Sequence, residues 1–419
     1  MIQELLLIFP FIILLLSIAI LPITYPGFWN KNYLKISISL SLIIIFYYLA
    51  IDGRGFKITH TIEEYISFIA LLFSLYVVSG GIFIKIKGKS TPLRNVILLF
   101  TGGVLANFFG TTGSSMLLIR PYIESNKYRL HNYQIIFFIF IIGNIGGSLS
   151  PVGDPPLLIG YIKGVPFLWY FNNLIYIWLF AIVLLLVIFF VLDKYYYEKV
   201  KQVEQDSVEE KKERIKVEGI WNLIPLGVIV TSVLIQEPKF LREIIMLLSA
   251  VISYRLTSKA IHQKNHFSFE PIKEVAILFL GIFITMIPAL SFVSENSKSF
   301  GLDKLGNVYW YAGVLTSFLD NAPTFLNFLT GSMSSNNLSV DIKYNVIDFA
   351  NNYSIYLKAI SVASVFFGAM TYIGNAPNFM IKSIAEHKGL KMSGFFEYMY
   401  MYSLVILLPI FVLIWIIFF

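Results

Sequence analysis

Two aspartates, Asp154 and Asp320, stand inside apolar stretches of this sequence. An ionised carboxylate at bilayer depth costs about 2.5–3.5 kcal/mol even on insertion scales, so such a group is usually paired or functional. Oxygen-bearing residues gather around both. Asp154 lies in Gly147 to Leu157, GSLSPVGDPPL, near Ser150, and Asp320 begins DNAPT, followed by Asn321 and Thr324. A second stretch, Gly368 to Asn378, GAMTYIGNAPN, repeats the first and adds Thr371 and Asn375. Carboxylates beside hydroxyl, amide and freed backbone oxygens suit a small hard cation, and Asp154 and Asp320 are the candidate sodium ligands. Burial favours the protonated form of a carboxylate in general, so such a group can trade a proton for a cation.

Plainer roles exist for several of these residues. Asp320 before Asn-Ala-Pro suits an N-cap with Pro323 in the first turn, and Asp154 before Pro155-Pro156 suits a turn. Asn107, Asn144 and Asn378 read as hydrogen-bond glue between helices rather than as ligands. Arg120, between an apolar run and Pro121, reads as an anchor reaching toward the membrane surface in preference to an anion site. The chain has no Cys, and His60, His131, His262, His266 and His387 fall at loop or span ends, which leaves thiolate and zinc chemistry without support. Asp154 and Asp320 could imitate an aspartyl dyad, but the G-x-G-D surroundings are missing, so no enzyme and no cofactor is expected.

The elements that must hold these residues are membrane helices. With 57% hydrophobic and 14% charged residues over 419 positions and a mean hydropathy of +0.73, the apolar surface exceeds what one soluble core can hide. The formal charge of +7 sits in short loops between apolar spans, where membrane orientation explains it and nucleic acid does not. Spans of bilayer length are predicted near 2–24, 34–51, 64–84, 168–192, 219–236, 241–257, 272–294 and 396–418. The first lacks a basic n-region and a small-residue cleavage site, and reads as a retained span. Residues 193–217 mix both charge signs and read as a solvated, cytoplasmic linker, helical in part. Trp169, Tyr170 and Trp221 read as interfacial anchors.

Four further segments fall into two pairs. Residues 94–121 have a Gly/Thr/Ser-rich centre at Gly110 to Ser114. Folded there, each arm is about 20 Å long, too short to cross a bilayer, so a re-entrant hairpin is predicted. Residues 306–331 share this build, with a shift of 210 aligning Gly103-Val104-Leu105 on Gly313-Val314-Leu315. Residues 131–162 and 353–387 are apolar segments interrupted by the two repeats. Their shift of 221 matches Gly147 to Gly368, Gly153 to Gly374 and Pro156 to Pro377, and Pro155 precedes the last of these in the first copy. With both hairpins re-entrant, 23 of the 32 Lys and Arg residues fall on one side and 9 on the other, the bias that cytoplasmic loops carry. The resulting expectation is an all-α polytopic membrane protein of two inverted-topology repeats, 1–192 and 218–419. Each has three spans, a hairpin, a broken helix and a closing span, with both termini outside a bacterial inner membrane. Broken helices in matching positions of two halves point to a transport site at the midplane.

The segments GNIGGSLSPVGDPPLLIG, FLDNAPTFLNFL and GAMTYIGNAPNFM resemble signature regions of the ion transporter superfamily, which holds NhaD-type sodium/proton antiporters, citrate carriers, dicarboxylate/sodium symporters and arsenite permeases. That resemblance implies a homodimer of scaffold and transport parts with elevator-like movement. Similar hairpin tips in the symporters carry Ser-Asn-Thr, whereas the first tip here, with Thr111, Thr112 and Ser114, lacks the Asn. That departure weighs against a two-sodium symport scheme, and since two Asp but no Lys or Arg reach the midplane, sodium/proton exchange is the expected activity, with citrate or dicarboxylate transport as the alternative and arsenite or oxyanion export third. The hydroxyls of Thr111, Thr112, Ser114 and Ser115 would serve a carboxylate in the alternative.

Overall fold

The computed structural model describes residues 2–87, 90–199, 214–235 and 237–419. The chain is mostly helical, and among the described residues seven helices are long and apolar enough to cross a membrane. The first group of helices comprises α1 (Ile2–Thr24), α2 (Pro26–Ile51), α3 (Phe56–Gly80), α8 (Leu223–Ser232), α9 (Leu241–Leu256) and α11 (Glu270–Asn296). Here α2 packs on α11 and α9 on α3, α1 on α11 and α8 on α3, and α3 on α11. Outward faces rich in Leu, Ile and Phe, such as Ile38, Leu42, Ile244 and Leu248, stay exposed, as lipid-facing surfaces must.

The second group is built from interrupted elements. Pro92–Asn126 (α4) is two helical arms meeting at Gly110, whose φ of +74° and ψ of 158° no helix contains. A straight helix would hold Asn95 and Asn126 about 47 Å apart. Instead their amides bond reciprocally at 2.8 and 3.0 Å, so the segment is a hairpin whose two ends meet. In the second hairpin, α12 (Leu305–Phe318) and α13 (Asn321–Ser335) turn at Leu319 and Asp320. The first broken helix is α5 (Asn132–Ile141), a 3-10 turn at Ile145–Leu149 and α6 (Pro155–Lys163). The second is α15 (Ser354–Phe366), a 3-10 turn at Phe367–Met370 and α16 (Ala376–His387). Long closing helices follow each, α7 (Trp169–Lys199) and α17 (Phe395–Phe418). A short α10 (Lys259–Lys264) lies between α9 and α11, and α14 (Lys343–Asn352) precedes α15 at a 96° bend.

The two groups touch where α3 meets α4 and α6, and where α11 meets α13. An ion pair crosses the first of these seams: Lys163 Nζ on α6 lies 2.8 Å from Glu64 Oε1 on α3 and 3.3 Å from Asp341 Oδ1. Near it, the Tyr161 hydroxyl donates to the Val233 carbonyl at 2.5 Å.

Several expectations need correction. The mostly helical chain agrees with the expected all-α class, to which an unexpected antiparallel ribbon of Phe83–Lys87 (β1) and Arg214–Glu218 (β2), with Lys85 opposite Lys216, is added. The Ile/Lys alternation of FIKIK and RIKVE has the period of a strand and not of a helix. The 193–217 linker is thus shorter at both ends, because 193–199 complete α7 and 214–217 enter β2; residues 200–213 lie outside those described. Asp193 is not solvated. It is fully buried, with Arg129 Nη1 and Nη2 on its two oxygens at 2.8 and 2.9 Å, and Tyr133, Gln134 and Asn95 donating as well. Trp169 and Tyr170 are buried, and the Trp169 indole donates to the Ala350 carbonyl at 2.8 Å. Arg120 is half-buried and lines a small cleft with Tyr76, Ser79, Gly113, Met116, Asn265 and Phe267, between α3 and the second arm of α4.

Candidate functional site

Both interruptions are held open by backbone that no side chain could share. A Cβ on Gly153 would stand 2.0 Å from the Gly147 carbonyl oxygen, and one on Gly374 would stand 2.6 Å from that of Gly368. Polar staples then fix each break to the hairpin beside it. Ser150 Oγ donates to the Asn107 carbonyl at 2.6 Å and accepts from Gly153 N; Thr371 Oγ1 donates to the Ser317 carbonyl at 2.5 Å and accepts from Gly374 N. Shifts of 221 for the breaks and 210 for the hairpins turn the first set into the second. Asn107 braces the first break further, accepting from Leu149 N and donating to the Gly146 carbonyl. The Ser150 and Thr371 hydroxyls are engaged in these staples.

Beyond the breaks, helices restart at Pro155 and Ala376, with Asp154 and Asn375 at the N-cap positions and Pro156 and Pro377 in the first turn. A proline brings no N–H of its own to the first turn, where such groups have no partner within the helix. The carboxylate of Asp154, 1% exposed, is where all four interrupted elements converge. Its Oδ1 accepts from Thr111 Oγ1 at 2.8 Å, at the first hairpin tip, and from Asn375 Nδ2 at 3.2 Å, in the second break. Its Oδ2 accepts from Asn321 Nδ2 at 2.5 Å, at the second hairpin tip. Thr111 and Asn321 correspond by the hairpin shift, and Asp154 and Asn375 by the break shift. Hydrogen bonds to an ionised acceptor are roughly twice as strong as neutral ones, so the three donors suit the carboxylate in its charged form.

The other sequence candidates are placed differently. Asp320 is the N-cap of α13: its Oδ1 accepts from Ala322 N at 3.1 Å, and its backbone carbonyl accepts from Thr324 Oγ1. Asp320 and Asp154 are joined by no hydrogen bond among the described residues; Asn321 makes the link. Thr112 is half-buried beside the first tip, while Ser114 and Ser115 are buried with hydroxyls lacking partners among the described residues. Asn321 Oδ1 is likewise buried with no donor among them. Asn144 and Asn378, read from sequence as glue, bond to each other at 2.7 Å across the two breaks. No cluster of three His, Cys, Asp or Glu side chains that could hold a metal ion occurs among the described residues.

Long apolar helices around two interrupted helices and two hairpins, with a buried carboxylate at their junction, define an integral membrane protein of the transporter class. Residues 2–419 match the model of a family described as “Putative citrate transport”, and the chain belongs to that family. No curated protein matches the sequence.

Proposed function

We propose that the chain is a secondary transporter that exchanges sodium or another monovalent cation for protons by alternating access at Asp154. The observation that carries this reading is the convergence of both hairpin tips and both breaks on that one carboxylate. Interrupted helices meeting at a buried acidic group are the build of a transport site, with freed backbone and side-chain oxygens ready for the ion. Asn321 Oδ1, buried and unclaimed, supports a cation beside the carboxylate. The symmetric pairing of α2 with α11 and of α9 with α3 supports two inverted repeats. In that arrangement the 23 Lys and Arg face the cytoplasm of a bacterial cell and both termini lie outside.

The helices of the first group serve as scaffold in a homodimer, and the second group carries the site past them. Relative movement of the groups must part Lys163 from Glu64. The chain has no Cys, so a Glu64→Cys, Lys163→Cys pair adds the only thiols. Bridging them with a short bis-maleimide in reconstituted vesicles should stop transport, while either single variant treated alike should continue. Transport undiminished by complete bridging would rule out movement at this seam.

The family description favours a second reading, cation- or proton-driven movement of citrate or a dicarboxylate. The two separate in one experiment on the native chain: dequenching of a pH probe in inverted vesicles on adding sodium or lithium, beside uptake of labelled citrate and succinate. Cation-driven dequenching without carboxylate supports exchange. Carboxylate uptake with no cation-driven pH change overturns it in favour of the second reading.

A further inference from the structure

Three amides run in series beside Asp154, and the first has its direction fixed by groups that can only accept. Asn378 Nδ2 donates to the backbone carbonyls of Gly368 at 2.8 Å and Thr371 at 2.9 Å. Carbonyls have no proton to give, so the Asn378 amide cannot turn over without stranding a buried N–H against nothing that accepts it. Its oxygen therefore faces Asn144, whose Nδ2 donates to it at 2.7 Å and also to the Ile139 carbonyl at 2.9 Å. Asn144 is fixed in turn and presents its Oδ1 to Asn375 Nδ2 at 3.2 Å. Asn375 Nδ2 has a third acceptor, the Gly143 carbonyl at 3.2 Å. The chain ends with that same nitrogen on Asp154 Oδ1.

Asn321, on the other side of the carboxylate, has no such chain. Its Nδ2 donates to Asp154 Oδ2, and its Oδ1 is buried with no partner among the described residues. Turning this amide over surrenders one bond, and that bond is one an arriving cation replaces. Turning Asn375 over gives up both of its N–H donors, which Asp154, Asn144 and Gly143 share.

We propose that Asn378 and Asn144 are positioning residues that lock Asn375 as a permanent donor to Asp154, leaving Asn321 as the amide that rotates to bring its oxygen onto a cation bound at that carboxylate. The empty site and the filled site then differ by one side-chain rotation on the second hairpin, while the link between the two breaks stays intact. This rests on the cation-exchange reading above and assigns the two neighbouring amides opposite tasks.

The test is the half-saturating sodium concentration in the pH-probe assay, with Vmax read separately. Asn321→Ala should raise it by about tenfold or more with Vmax largely kept, since the bound cation loses one of its oxygen ligands. Asn378→Leu leaves Asn144 oriented by the Ile139 carbonyl alone and so loosens the hold on Asn375, which should lower the half-saturating concentration; damage to packing alone would raise it or cut Vmax. If Asn378→Leu does not give monodisperse protein, Asn144→Ser breaks the same chain one link closer and carries the same expectation. Unchanged half-saturation in Asn321→Ala, or a rise in the chain-breaking variant, overturns the proposal while cation exchange by the native chain stands. A native chain that answers to no cation overturns both.

Discussion

Asp154→Asn should reduce cation-driven proton movement by about a hundredfold or more, equivalent to roughly 3 kcal/mol in the barrier, while the protein still folds. The substitution keeps the shape of the side chain and removes its charge. It also replaces one accepting oxygen by an N–H among three donors, Thr111, Asn321 and Asn375, of which Asn321 can turn its oxygen to accept. The stability read from the thermal midpoint should therefore fall by less than the cost of an unpaired buried donor, about 1–3 kcal/mol. Initial rates of pH-probe dequenching in vesicles, normalised to the amount of protein inserted, give the answer. An Asp154→Asn chain with native rates would mean that the convergence of four elements on this group has no part in transport. Asp320→Asn should do less, because an Asn is also a competent N-cap and Asp320 shares no hydrogen bond with Asp154 among the described residues.

Asp193→Asn should destabilise the protein by about 3–5 kcal/mol. Removing this charge strands the Arg129 guanidinium, whose side chain is 6% exposed, without its counter-ion. The loss spreads, because Asp193 also organises Tyr133, Gln134 and Asn95, and Asn95 in turn closes the hairpin through Asn126. Thermal unfolding in detergent, followed by retention of the monodisperse peak, measures the effect. Replacing both partners, Arg129→Met with Asp193→Met, should recover only part of the stability, since apolar groups can replace a buried ion pair but leave the Tyr133 hydroxyl without its acceptor. Equal midpoints for the native chain and Asp193→Asn would show that the pair contributes nothing.

The contrast between these two aspartates shows what the residues disclosed on their own. Asp154 was legible because glycine and proline flank it in a motif that recurs 221 positions on, and only a broken backbone explains such residues in an apolar run. The pairing of Thr111 with Asn321 as equivalent tip residues could also be read from the hairpin shift. Asp193 was not legible. It begins the most charged stretch of the chain, and local composition cannot reveal that a partner 64 positions earlier, Arg129, folds back over it. The ribbon was missed for a related reason, since its two five-residue strands are far apart in sequence and each is too short to stand out among helices. Asn144 and Asn378 were recognised as glue between helices, but the direction in which their amides point depends on which backbone carbonyls lie within reach. Only a folded backbone supplies that.

The two breaks share a template, yet Asn375 stands in the second where Asp154 stands in the first. In the proposed exchange this difference sets an electrical property. A site with one negative group is neutral when it holds a proton and neutral when it holds a monovalent cation, so each loaded passage carries no net charge. A potential of 100 mV does about 2.3 kcal/mol of work on every elementary charge that crosses the bilayer, and a neutral carrier takes none of it. The exchange would then be driven by the two concentration gradients alone, and its rate would not change when the membrane potential is collapsed with both gradients held constant.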